Sequence, residues 1–175
     1  KFTKKKKLPK RVLLLGSSGI ISKNLQEKLN KEKIHYKVFG RKNLNFLKKN
    51  SIQKLSKAIK KDDIIIFLAS NAPVKNLNIY TENIKICETI FSAINEKLIS
   101  HLIYISSDAV YSDSKSKLDE KSITEPSNFH GLMHITREKI LNLKFKKKLC
   151  ILRPTMIYGK FDSHLGYGPN LFLEN

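Results

Sequence analysis

The sequence holds only two cysteines, no tryptophan, and fewer than half as many acidic as basic residues. Cys87 and Cys150 are too few and too far apart to imply a disulfide framework or a zinc site. Cys87 falls in a helical pattern and Cys150 in an apolar strand pattern, so both are expected as buried thiols. No apolar run reaches the length of a bilayer span. The basic segment at residues 1–10 lacks the apolar core of a signal peptide. These absences predict a cytoplasmic protein with no membrane span. The shortage of acid is marked: 34 Lys and Arg face 15 Asp and Glu, a formal net charge of +19. Such a charge invites a nucleic-acid reading. Its distribution argues against one. The arginines are Arg11, Arg41, Arg137 and Arg153 alone, and the lysines are scattered through Asn- and Ile-rich sequence. The expectation is no specific nucleic-acid partner, only salt-sensitive association with polyanions.

What is present is an alternation of strand and helix patterns. Val12 to Leu15 is a continuous apolar run, as expected of a parallel strand covered on both faces. Gly16-Ser17-Ser18-Gly19 follows, and then a helical pattern in which Ile21, Leu25 and Leu29 share a face. Further strands are predicted at Ile34–Phe39, Leu44–Leu47, Ile64–Ala69, His101–Ser106 and Leu149–Leu152. Further helices are predicted from an N-cap at Ser51 through Lys60, over Tyr80–Lys97 and over His130–Leu143. This order implies an α/β fold, a Rossmann-like doubly wound parallel sheet with helices on both faces. The domain is expected over residues 11–160. Residues 1–10 precede it as a basic segment, and 161–175 read as the start of a truncated substrate-binding region.

Ligands of such sheets sit beyond the carboxyl ends of the strands. Gly16 permits the sharp turn and Gly19 a close approach of the backbone to phosphate. Ser18, Ile20 and Ile21 complete the candidate pyrophosphate turn. The spacing is G-x-x-G-x-x-S, with Ser22 at the third position, so an ordinary strand–turn–helix stays open as the alternative. Leu68, Ala69 and Ser70 lie at another strand end, and Ser106-Ser107-Asp108 at the next. The second strand ends at Gly40-Arg41-Lys42, where NAD-binding proteins place an acid. Arg41 there slightly favours NADP over NAD, since a guanidinium can clamp a 2′-phosphate.

Taken in order, Gly16-x-x-Gly19, Asp62 to Ala69, Asn83 to Ala93, Tyr104 to Tyr111 and Leu152-Arg153-Pro154-x-x-x-Tyr158-Gly159 resemble the extended short-chain dehydrogenase/reductase family, the NAD-dependent epimerase/dehydratase group. The resemblance implies hydride transfer between a nicotinamide and the carbon of a nucleotide-linked sugar, and homodimers formed through paired helices. It adds Asn83 and Pro154 to the cofactor contacts. It assigns Ser107 to hold the reacting oxygen. His130 and His134 stand where the family has its proton-transferring Tyr and the Lys four residues on. His130 therefore becomes the candidate acid/base, with His134 beside it on the same helix face. The alternative is a non-catalytic NAD(P)-binding sensor or scaffold. A zinc reading of His-x-x-x-His is weaker, because Gly131 occupies the place of the general-base Glu. Asp108 stands beside Ser107, as in sugar-nucleotide dehydratases and dTDP-4-dehydrorhamnose reductases. The dehydratases place a Glu next, and here Ala109 follows, which disfavours dehydratase chemistry.

Overall fold

A computed structural model describes residues 8–113 and 117–159. Residues 1–7 of the expected basic segment 1–10, and the whole expected segment 161–175, therefore lie outside the described residues. Five strands form one sheet: β1 (Val12–Leu15), β2 (Tyr36–Phe39), β3 (Ile64–Phe67), β4 (His101–Ile105) and β5 (Leu149–Leu152). Their order is β2-β1-β3-β4-β5 and every pairing is parallel. The connecting helices are α1 (Ile20–Lys31), α2 (Ser51–Ala58), α3 (Leu77–Ala93) and α4 (Phe129–Phe145). A short 3-10 helix spans Asp108–Val110. This is the expected Rossmann-like architecture.

The pleat of β1 divides the core. Leu13 and Leu15 face one side with Leu55 of α2, Ile90 of α3 and Leu141 of α4. Val12 and Leu14 face the other side with Leu25 and Leu29 of α1. A strand that feeds both cores must be apolar at every position, and all four residues of β1 are buried. The chain leaves β1 towards β2 and returns to β3 on the opposite side. The strand order thus reverses beside β1, and a cleft opens there at the carboxyl edge. At the other end of the strands, Arg11 grips Asp63 through two bonds, Nε to Oδ1 at 2.8 Å and Nη2 to Oδ2 at 2.6 Å. That pair clamps the start of β1 to the start of β3.

Several local expectations are corrected. Residues 44–47 form turns, not a strand. The Asn43 side chain bonds Gly40 N and Val38 O, and Asn45 Oδ1 accepts from Leu47 N, so backbone needed for a ladder is held in turns. Leu44 and Phe46 still bury their side chains. Asn50, not Ser51, is the N-cap residue of α2, and Ser51 lies inside the helix with its hydroxyl donating to Asn45 O at 2.5 Å. The helix stops at Ala58, and Ile52 is exposed. Asn76 caps α3 by accepting from Ile79 N, so that helix starts earlier than expected and ends at Ala93. Strand β2 begins at Tyr36. Cys87 is buried as expected, but Cys150 is exposed, because β5 is the edge strand. Among the described residues no helix is long and apolar enough to cross a membrane.

One glycine fixes how α4 sits on the rim. A Cβ on Gly131 would collide with the carbonyl oxygen of Ala109 and lie 2.7 Å from Pro126 Cβ. The helix can approach the 3-10 turn this closely only with hydrogen at that position. Gly131→Ala should therefore destabilise the fold by about 1–3 kcal/mol, although alanine is the better helix former by about 1 kcal/mol. Urea unfolding measures this. A gain in stability would show that α4 and the 3-10 turn are free to separate.

Candidate functional site

The cleft is built from the glycine turn outward. Gly16 adopts φ +126°, the left-handed region open to glycine. Its missing side chain matters too, since a Cβ would lie 2.8 Å from Ala69 N and 3.0 Å from the Leu68 carbonyl carbon. Leu68 and Ala69 thus stand directly against the turn, as the sequence places them. Ser22 occupies the third position of the motif, buried, with its hydroxyl donating to Gly16 O at 2.7 Å. The off-pattern serine braces the turn.

Ser18 and Gly19 are exposed, and Ile20 and Ile21 are half-buried. Gly19 is the N-cap of α1 and makes no side-chain cap, and no acid stands in the first turn. The first N–H groups of α1 are therefore available to an anion. A Cβ on Gly19 would meet nothing within 4 Å, so the space before it is open. A dinucleotide pyrophosphate fits this cradle. Ile20 and Ile21 also line a shallow cavity of about 330 Å³ with Asn24, Leu25, Ile157 and Tyr158. Arg41 is exposed in the turn after β2. The adjacent Gly40 carries a role the sequence did not announce: a Cβ there would collide with Ser17 Oγ, so the end of β2 rests on the glycine turn.

Asn83 is placed differently from the remaining cofactor candidates. It is 0% exposed, and its amide is occupied. Its Oδ1 accepts from Asn71 N at 2.9 Å, and its Nδ2 donates to Asn71 O and Ile79 O. It pins the loop after β3 to α3, and so acts on the cleft through Ala69 to Asn71. Ser70 in that loop is exposed. Pro154 lies on the far side, its carbonyl accepting from Asp108 N at 3.2 Å.

A buried ionic network, missed in the sequence, holds these parts together. Arg137 is 1% exposed. Its guanidinium donates to Asn83 O twice, at 3.1 and 2.6 Å, to Asn83 Oδ1 at 2.9 Å and to Ala69 O at 3.0 Å. It also lies 5.0 Å from the centre of the Phe67 ring. Next to it, Glu138 accepts from Nε and Nη2 of Arg153, at 3.0 and 2.7 Å, and from the Ser106 hydroxyl at 2.6 Å. Arg153 also reaches Tyr111 OH at 2.7 Å. The available signal was adjacent opposite charges, Arg137 and Glu138, on a helix whose apolar spacing turns that face inward.

The catalytic candidates lie at the 3-10 turn and on the first turns of α4. Ser107 caps the 3-10 helix, accepting from Ala109 N and donating to Asp108 Oδ1 at 3.1 Å. Asn128 caps α4 by accepting from Gly131 N at 3.0 Å, and His130 follows on the first turn. The His130 and His134 rings stand edge to face, centroids 4.8 Å apart. His134 is buried, and its Nδ1 lies 2.8 Å from Tyr104 OH. Burial pushes His134 down to about 3, helped by the charge on His130 and by Arg137. His130 is also lowered, by burial first; Asp108 opposes the shift and Arg137 adds to it. Both rings are therefore neutral at pH 7, so the pair does not repel itself. Nδ1 of His130 is buried without a hydrogen-bond partner among the described residues. A groove of about 620 Å³ opens beside Asp108, lined by Tyr111, Asp113, Leu118, Ser127 and Asn128 among others. Among the described residues no three His, Cys, Asp or Glu side chains group as metal ligands.

These features can be set against known proteins. The chain is 26% identical over 166 residues to the N-acetyl-alpha-D-glucosaminyl-diphospho-ditrans,octacis-undecaprenol 4-epimerase of Escherichia coli O157:H7, covering 85% of this chain and 49% of the relative. Its fold superposes with a TM-score of 0.74 on a Bacillus anthracis dTDP-4-dehydrorhamnose reductase solved with NADP, at 26% identity, covering 89% of this chain and 57% of that one. A Bacillus cereus UDP-glucuronic acid 4-epimerase solved with NAD gives a TM-score of 0.70 at 21% identity, over 85% of this chain and 57% of that one. The chain spans about half the length of the curated relatives it matches. The profile of one family, described as the RmlD substrate binding domain, matches residues 10–172, and the chain belongs to that family.

Proposed function

We propose that this chain forms the cofactor-binding part of an NAD(P)-dependent epimerase or reductase that acts on a nucleotide-activated sugar. The observation that carries the reading is the placement of His130. It lies within reach of the Asp108 charge, on the same carboxyl rim as the glycine turn. Names of relatives supply the substrate class, since they include sugar epimerases and a sugar-nucleotide reductase. A bound nicotinamide would supply the hydride acceptor or donor. Gly16, Ser18, Gly19 and the N-terminus of α1 would hold its pyrophosphate, with Leu68 and Ala69 as the floor.

The chain's own residues then handle the proton. Ser107 holds the reacting sugar oxygen through its hydroxyl. His130 presents Nε2 to that oxygen, because its Nδ1 is turned into the protein. When the sugar carbon loses hydride, Nε2 accepts the hydroxyl proton; in the reverse step it returns it. A histidine lowered below its ordinary value is ready to accept at neutral pH. This favours the alcohol-oxidising half-reaction with which an epimerase begins. His134 does not reproduce the lysine it replaces, since it is neutral and buried. An imidazole already titrates near neutrality, so it needs no adjacent cation to depress it.

Three substitutions test the parts. Gly19→Val should abolish NAD(P) binding in calorimetry and leave the melting temperature nearly unchanged, because the added carbons enter open space. Undiminished affinity would remove the site from the α1 turn. Arg41→Ala should weaken NADP about ten- to a hundredfold more than NAD, the worth of a charged hydrogen bond. Equal losses would free Arg41 of any part in reading the 2′-phosphate. In a protein that turns over a sugar nucleotide, His130→Ala should cost about 10²–10⁴ in rate. The wild-type oxidation rate should rise with pH through an inflection below about 6.5, the unperturbed histidine value, and level off above it. Full activity in the alanine variant would pass the role to Tyr111 or Asp108.

A further inference from the structure

Tyr104 stands outside the proposed proton path, yet it touches the histidine pair from beneath. It is 1% exposed in the middle of the core, on β4. Its ring stacks at a tilt on Phe67 with centroids 5.1 Å apart and lies 5.9 Å from the His134 ring. Its hydroxyl is 2.8 Å from His134 Nδ1. Either atom of that contact can donate, and the surroundings decide which does. Arg137 acts on the phenol by its charge, while its own donors go to Asn83 and Ala69. A fixed cation turns the oxygen lone pairs towards itself and leaves the O–H to point away. Nδ1 of His134 is the hydrogen-bond partner of that hydroxyl among the described residues. If the imidazole donated instead, the phenol proton would be buried without an acceptor, an arrangement proteins avoid. Burial also raises Tyr104 well above the usual phenol range, so the proton stays on oxygen at any pH of interest.

We propose that Tyr104 is a positioning residue for His130 that acts through His134: its hydroxyl donates to His134 Nδ1, holds that ring as the neutral Nε2–H tautomer, and keeps charge from forming against His130. The inference rests on the reading of His130 as the proton-transfer group. The charged groups that act on the pair are Asp108 from the 3-10 turn and Arg137 from α4, with Tyr104 of β4 bonded to His134; Glu138 and Cys87 act on Tyr104. Asp108 alone favours a cation on His130. With His134 locked neutral, His130 can gain and lose its proton without a second cation 4.8 Å away.

Long-range ¹H–¹⁵N spectra of the histidines, recorded against pH on the whole chain, test this without turnover. In the unaltered protein His134 Nδ1 should show the shift of an unprotonated ring nitrogen at neutral pH. His134 should stay neutral until the pH approaches about 3. Tyr104→Phe should average the His134 tautomers and move its titration upwards. The His130 inflection should move down in response, because a charge now forms beside it. His134→Gln keeps a side-chain acceptor for the phenol and removes the titrating ring. In that background Tyr104→Phe should leave the His130 inflection where it was. A protonated Nδ1 on His134 in the unaltered protein overturns the proposal. So does a Tyr104→Phe shift of His130 that is absent, or equal in both backgrounds. If Tyr104→Phe does not fold, the tautomer in the unaltered protein decides alone. Failure of cofactor binding or of turnover would count against the enzymatic reading and leave these spectra unaffected.

Discussion

The arrangement depends on a guanidinium buried where three elements meet. Arg137 projects from α4, bonds the backbone of α3 at Asn83 and the loop after β3 at Ala69, and lies over Phe67. A charge withdrawn from water is tolerable only when its donors are met. Removing either carbonyl partner would leave a buried cation short of a bond. The position of Ala69 against Gly16 is thereby tied to the position of α4. The glycine turn and the histidine pair lie on different elements, and one side chain fixes the distance between them.

The same cation sets the electrostatics of the pair. Standing beside two imidazoles and a phenol, it disfavours protonation of both rings. Glu138 is not free to offset it, because both its oxygens are engaged by Arg153 and Ser106. The family's Tyr and Lys divide the work between a weak acid and a cation that sharpens it. Here the acid/base candidate is an imidazole, lowered by burial and kept neutral at pH 7. The cation lies below the pair, in the core, and not beside it in the cleft.

The parts of this fold that were legible in the sequence are those governed by neighbours in the chain. The runs at Val12–Leu15 and Ile64–Phe67 read as buried strands, and Gly16–Gly19 as a turn between strand and helix, because each is a local pattern. Residues 44–47 misled, since Leu44 and Phe46 alternate like a strand while Asn43 and Asn45 hold the backbone in turns. Helix starts at Asn50, Asn76 and Asn128 were obscured by the abundance of asparagine along the chain. The candidate site was half legible. Ser107, Asp108 and His130 fell within readable motifs. Arg137 did not, because its partners lie 54 and 68 residues away in sequence. Tyr104 was visible as part of a motif, but the histidine that gives it a task comes 30 residues later.

The hydroxyl of Ser22 on the carbonyl of Gly16 bears on the entropy of binding. A glycine-rich turn is the loosest kind of backbone, and ordering it when a ligand arrives costs free energy that would otherwise appear as affinity. Here the turn is tethered at Gly16 by Ser22, pressed by Ala69 from one side, and supported at Ser17 by the end of β2. A third glycine would have given the helix room but no tether. The serine trades that room for a turn held in one shape. Affinity for any anion bound there would then be set more by the contacts it makes than by what the loop must give up to make them.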